Sequence, residues 1–249
     1  MSIYSLPSNS NRFDNQIIKE SDLLKLHDHN NPDQITFINY TYSYCICIID
    51  IVNSTLVIKE LTNSEKIRRY YSLFLNTMAS IIKQHNGKVI KNAGDCLICY
   101  FPRTVHLTNE SAFQDVLECG LAMIEANSRM NLCLNKNRLP QVNYRISANY
   151  GNVELATSTY SNVVDLFGPT VNICSKINPL ASPNKIVIYK DLYDIIKKAS
   201  FFEEYFFIEI IKSDIKGKYC IYPYKVYSVH RRSKPICRQY FAPNEIILP

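Results

Sequence analysis

From residue 36 the apolar positions of the chain follow two clear periods. FINYTYSYCICIID is crowded with β-branched and aromatic residues, stops at Asp50 and reads as a strand. TNSEKIRRYYSLFLNTMASIIKQHNGK repeats apolar residues at Ile67, Tyr71, Phe74, Met78 and Ile81, the spacing of one helix face. Its cap candidates lie between residues 62 and 64, and Gly87 is its terminator. KVIK, a turn in NAGD and CLICYF predict a hairpin. Residues 110–134 predict a second amphipathic helix through Phe113, Leu117, Leu121 and Ile124, and VNYRISANYGNV a further strand.

Strand, helix, hairpin, helix, strand is the order of a split βαβ unit, so the expected fold is α+β with a ferredoxin-like core and a sheet flanked by helices. A linker-like stretch, ELATSTYSNVVDLFG, follows. The short helix PTVNICSKINPL begins at Pro169 and ends near Pro179. KIVIY then reads as a strand and DLYDIIKKA as a helix, and EYFFIEII with YCIYPYKVYSV forms an extra C-terminal β-hairpin around SDIKGK. The expected organisation is a polar extension over residues 1–35, one folded domain over 36–229 and an irregular tail over 230–249.

Composition narrows the class without naming it. At 249 residues, 47% hydrophobic and 20% charged, the chain can bury a sizeable core. No stretch approaches the roughly 18 apolar residues of a membrane span, and no secretory h-region follows Met1, so a cytoplasmic protein is expected. Nine cysteines are scattered along the chain. Residues three apart in a strand point oppositely, so Cys96 and Cys99 make a poor zinc knuckle, and buried free thiols in a reducing compartment are expected. The net charge of +6 is spread out, with basic clusters at 66–69, 212–218 and 230–234 that suit solvent or an anionic partner. The 18 tyrosines and a pI near 8.7 raise the question of nucleic acid. CLICYF is too apolar for an RNA-binding strand, and no nucleic-acid partner is expected.

Two carboxylates stand out. Asp50 and Asp95 each sit where an apolar strand meets a polar turn, a place where a charge is costly unless something cationic joins it. In a split βαβ unit the third strand enters antiparallel between the first and second. Its start then lies beside the end of the first strand, which brings Asp95 to Asp50. Such a pair suits divalent metal held against phosphate. Ordinary uses stand beside this one, with Asp50 capping the next segment and Asp95 completing a turn.

DIVNST, KNAGD, RISANYGNV and DLFGPTVNICSK occur in that order, and together they resemble the class III adenylate/guanylate cyclase catalytic domain over about residues 38–229. The resemblance implies a ferredoxin-like core and a head-to-tail homodimer with active sites at the subunit interface. It implies that Asp50 and Asp95 hold two Mg²⁺ or Mn²⁺ ions per site, and that Lys91 and Asp165 read the base. A lysine donor with a carboxylate acceptor fits adenine, and guanine reverses that pattern, so ATP is the implied substrate. Asn172 falls at the ribose-orienting position, and Lys216, in DIKGK, at that of a lysine for the terminal phosphates. Lys176 stands where the family normally has an arginine serving the α-phosphate, and on a helix it also suits the C-terminal dipole. A lysine is a mobile point charge and an arginine a fixed fork, so reduced turnover is expected. RISANYG departs from R-I-G-I-H-x-G at Ser147 and Asn149, a change expected to touch packing more than chemistry. The implied activity is conversion of ATP to 3′,5′-cyclic AMP and pyrophosphate. The alternative is a weak or inactive cyclase-like module for nucleotide binding or dimerisation. The GGDEF-type turn of diguanylate cyclases is absent.

Overall fold

The structure, a computed structural model, describes residues 35–61, 63–158, 161–210 and 224–232. The extension over 1–34, the basic loop with Lys216 and the tail from 233 lie outside them. Strand β1 (Ile35–Ile51) is followed by α1 (Ser54–Glu60), α2 (Ser64–Gln84), β2 (Lys88–Ala93), β3 (Cys96–Phe101) and α3 (Glu110–Lys136). Then come β4 (Tyr144–Ser158), β5 (Ser161–Phe167), α4 (Pro169–Ile177), β6 (Lys185–Tyr189), α5 (Lys190–Ile196), β7 (Tyr205–Glu209) and β8 (Val226–Arg231).

The sheet order is β2-β3-β1-β4-β6-β8-β7, with β5 paired to β4 off this path. Strand β3 enters antiparallel between β2 and β1, as the split βαβ order requires. The ferredoxin-like core is therefore present, and β7 with β8 forms the added antiparallel pair. Strand alternation buries both faces of β1. Cys45, Cys47, Ile49 and Ile51 point into a main core built with α2 and α3, while Ile46 and Ile48 point into a second core with Val153, Leu166 and Cys174.

The two long helices follow their sequence period. Asn63 caps α2 by accepting from the Lys66 amide at 2.9 Å. Phe74, Met78 and Ile81 are buried, and Ile67 and Tyr71 are half-buried. The helix ends at Gln84, and the left-handed residue beyond it is Asn86 (φ 60°), one residue before the expected Gly87. On α3, Phe113 and Leu117 are buried. Arg231 on β8 ties the C-terminal pair to α3, its Nε donating to Glu118 at 3.1 Å.

Two further expectations change. The linker-like stretch is structured, since β4 runs on to Ser158 and β5 returns antiparallel, pairing Leu155 with Leu166 and Ala156 with Asp165. Serine and threonine there suggested a loop, but threonine suits a strand as well, and Leu166 closes the second core. Among the described residues the first strand begins at Ile35 and the last ends at Arg231. Asp50 caps no helix, because it lies within β1 and α1 begins after Asn53.

The thiols of Cys45, Cys47, Cys99, Cys119 and Cys174 are buried and unbridged. Cys96 and Cys99 face opposite sides of the sheet, toward the second and main cores respectively. Among the described residues no helix is long and apolar enough to cross a membrane. Phe74 is fully buried, with its ring 5.5 Å from that of Tyr144. Phe74→Ala is expected to remove about 3–5 kcal/mol of stability, measured by denaturant unfolding.

Candidate active site

The site starts from the β1–β3 register. Asp50 pairs with Cys96, so Asp95, one residue earlier, stands at the tip of the neighbouring strand. The Ile51 amide donates to the Asp95 carbonyl at 3.3 Å, which fixes the two ends together. Gly94 precedes Asp95 in the left-handed region (φ 69°), where a side chain would be strained. Asp50 shares the strand face of Ile46 and Ile48 and lies opposite Arg145 of β4.

Electrostatics bind these groups into one cluster. Burial first, then the charge of Asp95, hold the Asp50 carboxyl above its ordinary range, with Arg145 opposing. Burial, then Asp50 and Asp95, push the Cys96 thiol up to about 12, while Lys91 pulls it down. Burial and then Asp95 also raise the Tyr71 hydroxyl. The Arg145 Nε is already engaged by the Ala181 carbonyl at 3.0 Å. Two neighbouring carboxylates, with one partly committed guanidinium opposite Asp50, fit a divalent cation. Among the described residues no group of three or more His, Cys, Asp or Glu side chains gathers. A cation at the pair would therefore complete its shell with water, backbone or substrate oxygens, as magnesium commonly does.

Lys91 reaches its place through a β-bulge. Val89 pairs with Cys99, but Lys91 pairs with Ile98, leaving Ile90 as an extra residue. In regular pairing Lys91 would stand opposite Leu97, on the side of the main core. The bulge turns it to the second-core side, where its Nζ meets Asp165 Oδ2 of β5 at 2.6 Å. The Lys91 and Asp165 side chains are 38% and 28% exposed, so both keep an open edge. The Lys91 Nζ also lies 5.8 Å from the Phe167 ring centre, and Asp165 Oδ1 accepts from the Leu166 amide at 2.8 Å.

Helix α4 carries Asn172 and Lys176, four apart and exposed on one face. Neither side chain has a hydrogen-bond or ion-pair partner among the described residues. At its first turn, the Thr170 hydroxyl donates to the Asn152 carbonyl at 2.7 Å. Gly151 permits that approach, since a Cβ there would lie 2.7 Å from the Thr170 oxygen. Ser147 and Asn149, the departures in RISANYG, are both buried. Ser147 donates to the Cys174 carbonyl of α4 at 2.9 Å, and Asn149 accepts from the Tyr150 amide at 2.8 Å.

The sequence reading missed Arg145 and Tyr71. Arg145 was visible in RISANYG, and its cross-strand position opposite Asp50 would have singled it out. The helix period marks Tyr71 only as a packing residue. A cavity of about 710 Å³ lies beside Asp95, lined by Tyr71, Arg68, Arg69, Glu65, Asn92 and Gly94 among others.

Residues 39–230 match the family of the adenylate and guanylate cyclase catalytic domain. The chain belongs to that family. "Putative adenylate cyclase 3" of Rhizobium meliloti (strain 1021) is 27% identical over 112 residues, 45% of this chain and 16% of that protein. The chain thus spans a small part of that relative's length. The crystal structure of the adenylyl cyclase CyaB from P. aeruginosa superposes with a TM-score of 0.65 at 18% identity, covering 81% of this chain and all of that one. The guanylyl cyclase Cya2 gives 0.66 at 17% identity, covering 80% of this chain and 96% of that one. These two likenesses, one to an adenylyl and one to a guanylyl cyclase, speak to the fold alone.

If the carboxylate pair repels itself when bare, Asp50→Asn is expected to raise the melting temperature of metal-free protein at neutral pH. It should also cancel the rise expected of the wild type in Mn²⁺. Thermal melts with EDTA or MnCl₂ check both signs, and a persistent Mn²⁺ rise in the variant would place the cation elsewhere.

Proposed function

We propose that the protein is an adenylate cyclase, converting ATP to 3′,5′-cyclic AMP and pyrophosphate at the interface of a head-to-tail homodimer. The observation that carries the choice of ATP is the Lys91–Asp165 pair, a donor and an acceptor side by side with open edges. Lys91 donates to the adenine ring nitrogen and Asp165 accepts from the exocyclic amine. Each can do so while paired, because an ammonium has three donors and a carboxylate about four acceptor sites.

Asp50 and Asp95 are the residues that hold Mg²⁺ or Mn²⁺. When bound, the metal supplies charge neutralisation for the polyphosphate and makes the ribose 3′-hydroxyl more acidic. The carboxylates of one chain face Lys91, Asp165, Asn172 and Lys176 of its partner. Asn172 orients the ribose, and Lys176 carries positive charge to the α-phosphate as charge develops there. The assignment of Lys216 to the terminal phosphates comes from the family resemblance alone. Exposure of Asn172 and Lys176 on one face of α4 supports the interfacial reading, since neither side chain has a partner among the described residues.

Lys176 favours a second reading, a weak or silent cyclase-like module. Lysine lacks the planar fork of arginine, and one missing transition-state donor costs on the order of a hundredfold in rate. Purified protein with Mn²⁺ and ATP tests the two directly. Cyclic AMP formation is expected, and ATP binding by a folded dimer without product would favour the module. Lys176→Arg is expected to raise kcat by about ten- to a hundredfold. A variant with Lys91→Glu and Asp165→Cys should move the preference toward GTP, read as the ratio of kcat/KM for the two nucleotides.

A further inference from the structure

Behind α4 lies a buried polar cluster that joins it to both central strands. The Ser147 hydroxyl of β4 donates to the Cys174 carbonyl at 2.9 Å. The Cys174 thiol points back, 3.3 Å from the Ser147 carbonyl and 3.6 Å from the Ile46 carbonyl of β1. Asn178, just past the helix, directs its Nδ2 to the Ile48 carbonyl at 3.1 Å, to Ser147 Oγ at 3.2 Å and to the Arg145 carbonyl at 3.4 Å. Ser147 and Cys174 are fully buried, and Asn178 is 3% exposed.

The orientation of Asn178 is dictated by chemistry. Two of its three neighbours are carbonyls, which only accept, so the amide nitrogen must face them. Its Oδ1 is left buried without a partner, an arrangement that costs stability. The cluster also occupies the place where the family pattern has a glycine, at Ser147. Its endpoints are telling. Ile48 lies two residues before Asp50 on β1, Cys174 lies between Asn172 and Lys176 on α4, and Arg145 is the cation opposite Asp50.

We infer that Ser147 and Asn178 are positioning residues that lock α4 to the strand bearing Asp50, so that the two half-sites of one chain keep a fixed relation. This rests on the dimeric reading above. In such a dimer the carboxylates of a chain serve one active site and its α4 serves the other, so the cluster couples the two active sites through each protomer. Ser147 and Asn178 touch neither substrate nor metal and act through Asn172, Lys176 and Asp50.

Mixed dimers test this. One chain carries Asp50→Asn with Asp95→Asn and keeps its α4 intact. The other carries Asn172→Ala with Lys176→Ala and keeps its carboxylates. Only one site in the mixed dimer then has both halves. Ser147→Ala is introduced into either chain in turn, with kcat, KM for ATP and melting temperature recorded. The proposal expects kcat to fall about tenfold or more from either side, since small misplacements of reacting groups are costly. KM should change little, and Ser147→Cys, which keeps a donor of similar size, should recover part of the loss in each position. An unchanged kcat overturns the proposal, as does a loss confined to the chain that supplies α4. A loss matched by a fall in folded dimer, and not restored by Ser147→Cys, also overturns it. Failure of the dimeric reading looks different: the mixed dimer without Ser147→Ala would be inactive while wild-type protein turns over.

Discussion

The interaction on which the rest depends is the antiparallel ladder between β1 and β3. It runs without a break from Cys45 opposite Phe101 to Asp50 opposite Cys96. A shift of one residue would turn every side chain of β3 to the wrong core. Apolar residues on both faces forbid that shift, since Cys99 and Leu97 belong to one core and Ile98 to the other. The register is thus held by burial, and its last step sets two carboxylates side by side. Packing overrides their mutual repulsion, so the protein presents a concentrated negative charge at a rigid sheet end.

Around that end, charges are distributed by face. The helix side of the sheet is apolar apart from isolated hydrogen-bonded groups such as Tyr144, whose hydroxyl donates to the Met123 carbonyl at 2.5 Å. The other side gathers Asp50, Arg145, Lys91 and Asp165, with Ser147 and Asn178 underneath. Carboxylate pair and Lys–Asp pair lie on different strands of one sheet, so their separation is set by strand spacing and register. Helix α4 is instead set by side chains, nine residues long and held by hydrogen bonds from beneath. A lysine in its last turn carries the charge but leaves its direction to the helix that bears it.

Much of this was legible in the sequence because it depended on order alone. The meeting of Asp50 and Asp95 follows once β3 is recognised as the inserted strand, and the helix faces follow from their period. Other features depended on information that no local pattern holds. Strand β5 opens on Ser and Asn and carries an Asp, residues that suit a loop as well, and pairing with β4 decides. Arg145 becomes part of the site through a cross-strand neighbour nearly a hundred residues away in sequence. Ser147 was expected to matter for packing, and it does contact Cys174, but its hydroxyl does so by hydrogen bonding across separate elements.

The bulge at Ile90 has a further consequence. Strand β2 behaves like text with a reading frame: the extra residue shifts the phase, and everything after it is read on the opposite face. With Val89 held opposite Cys99, the same residues paired without the bulge would set the lysine opposite Leu97 and turn it from Asp165 toward the helices. Backbone phase, as much as side-chain identity, therefore sets which core this lysine faces, with the composition of the hairpin the same in either case.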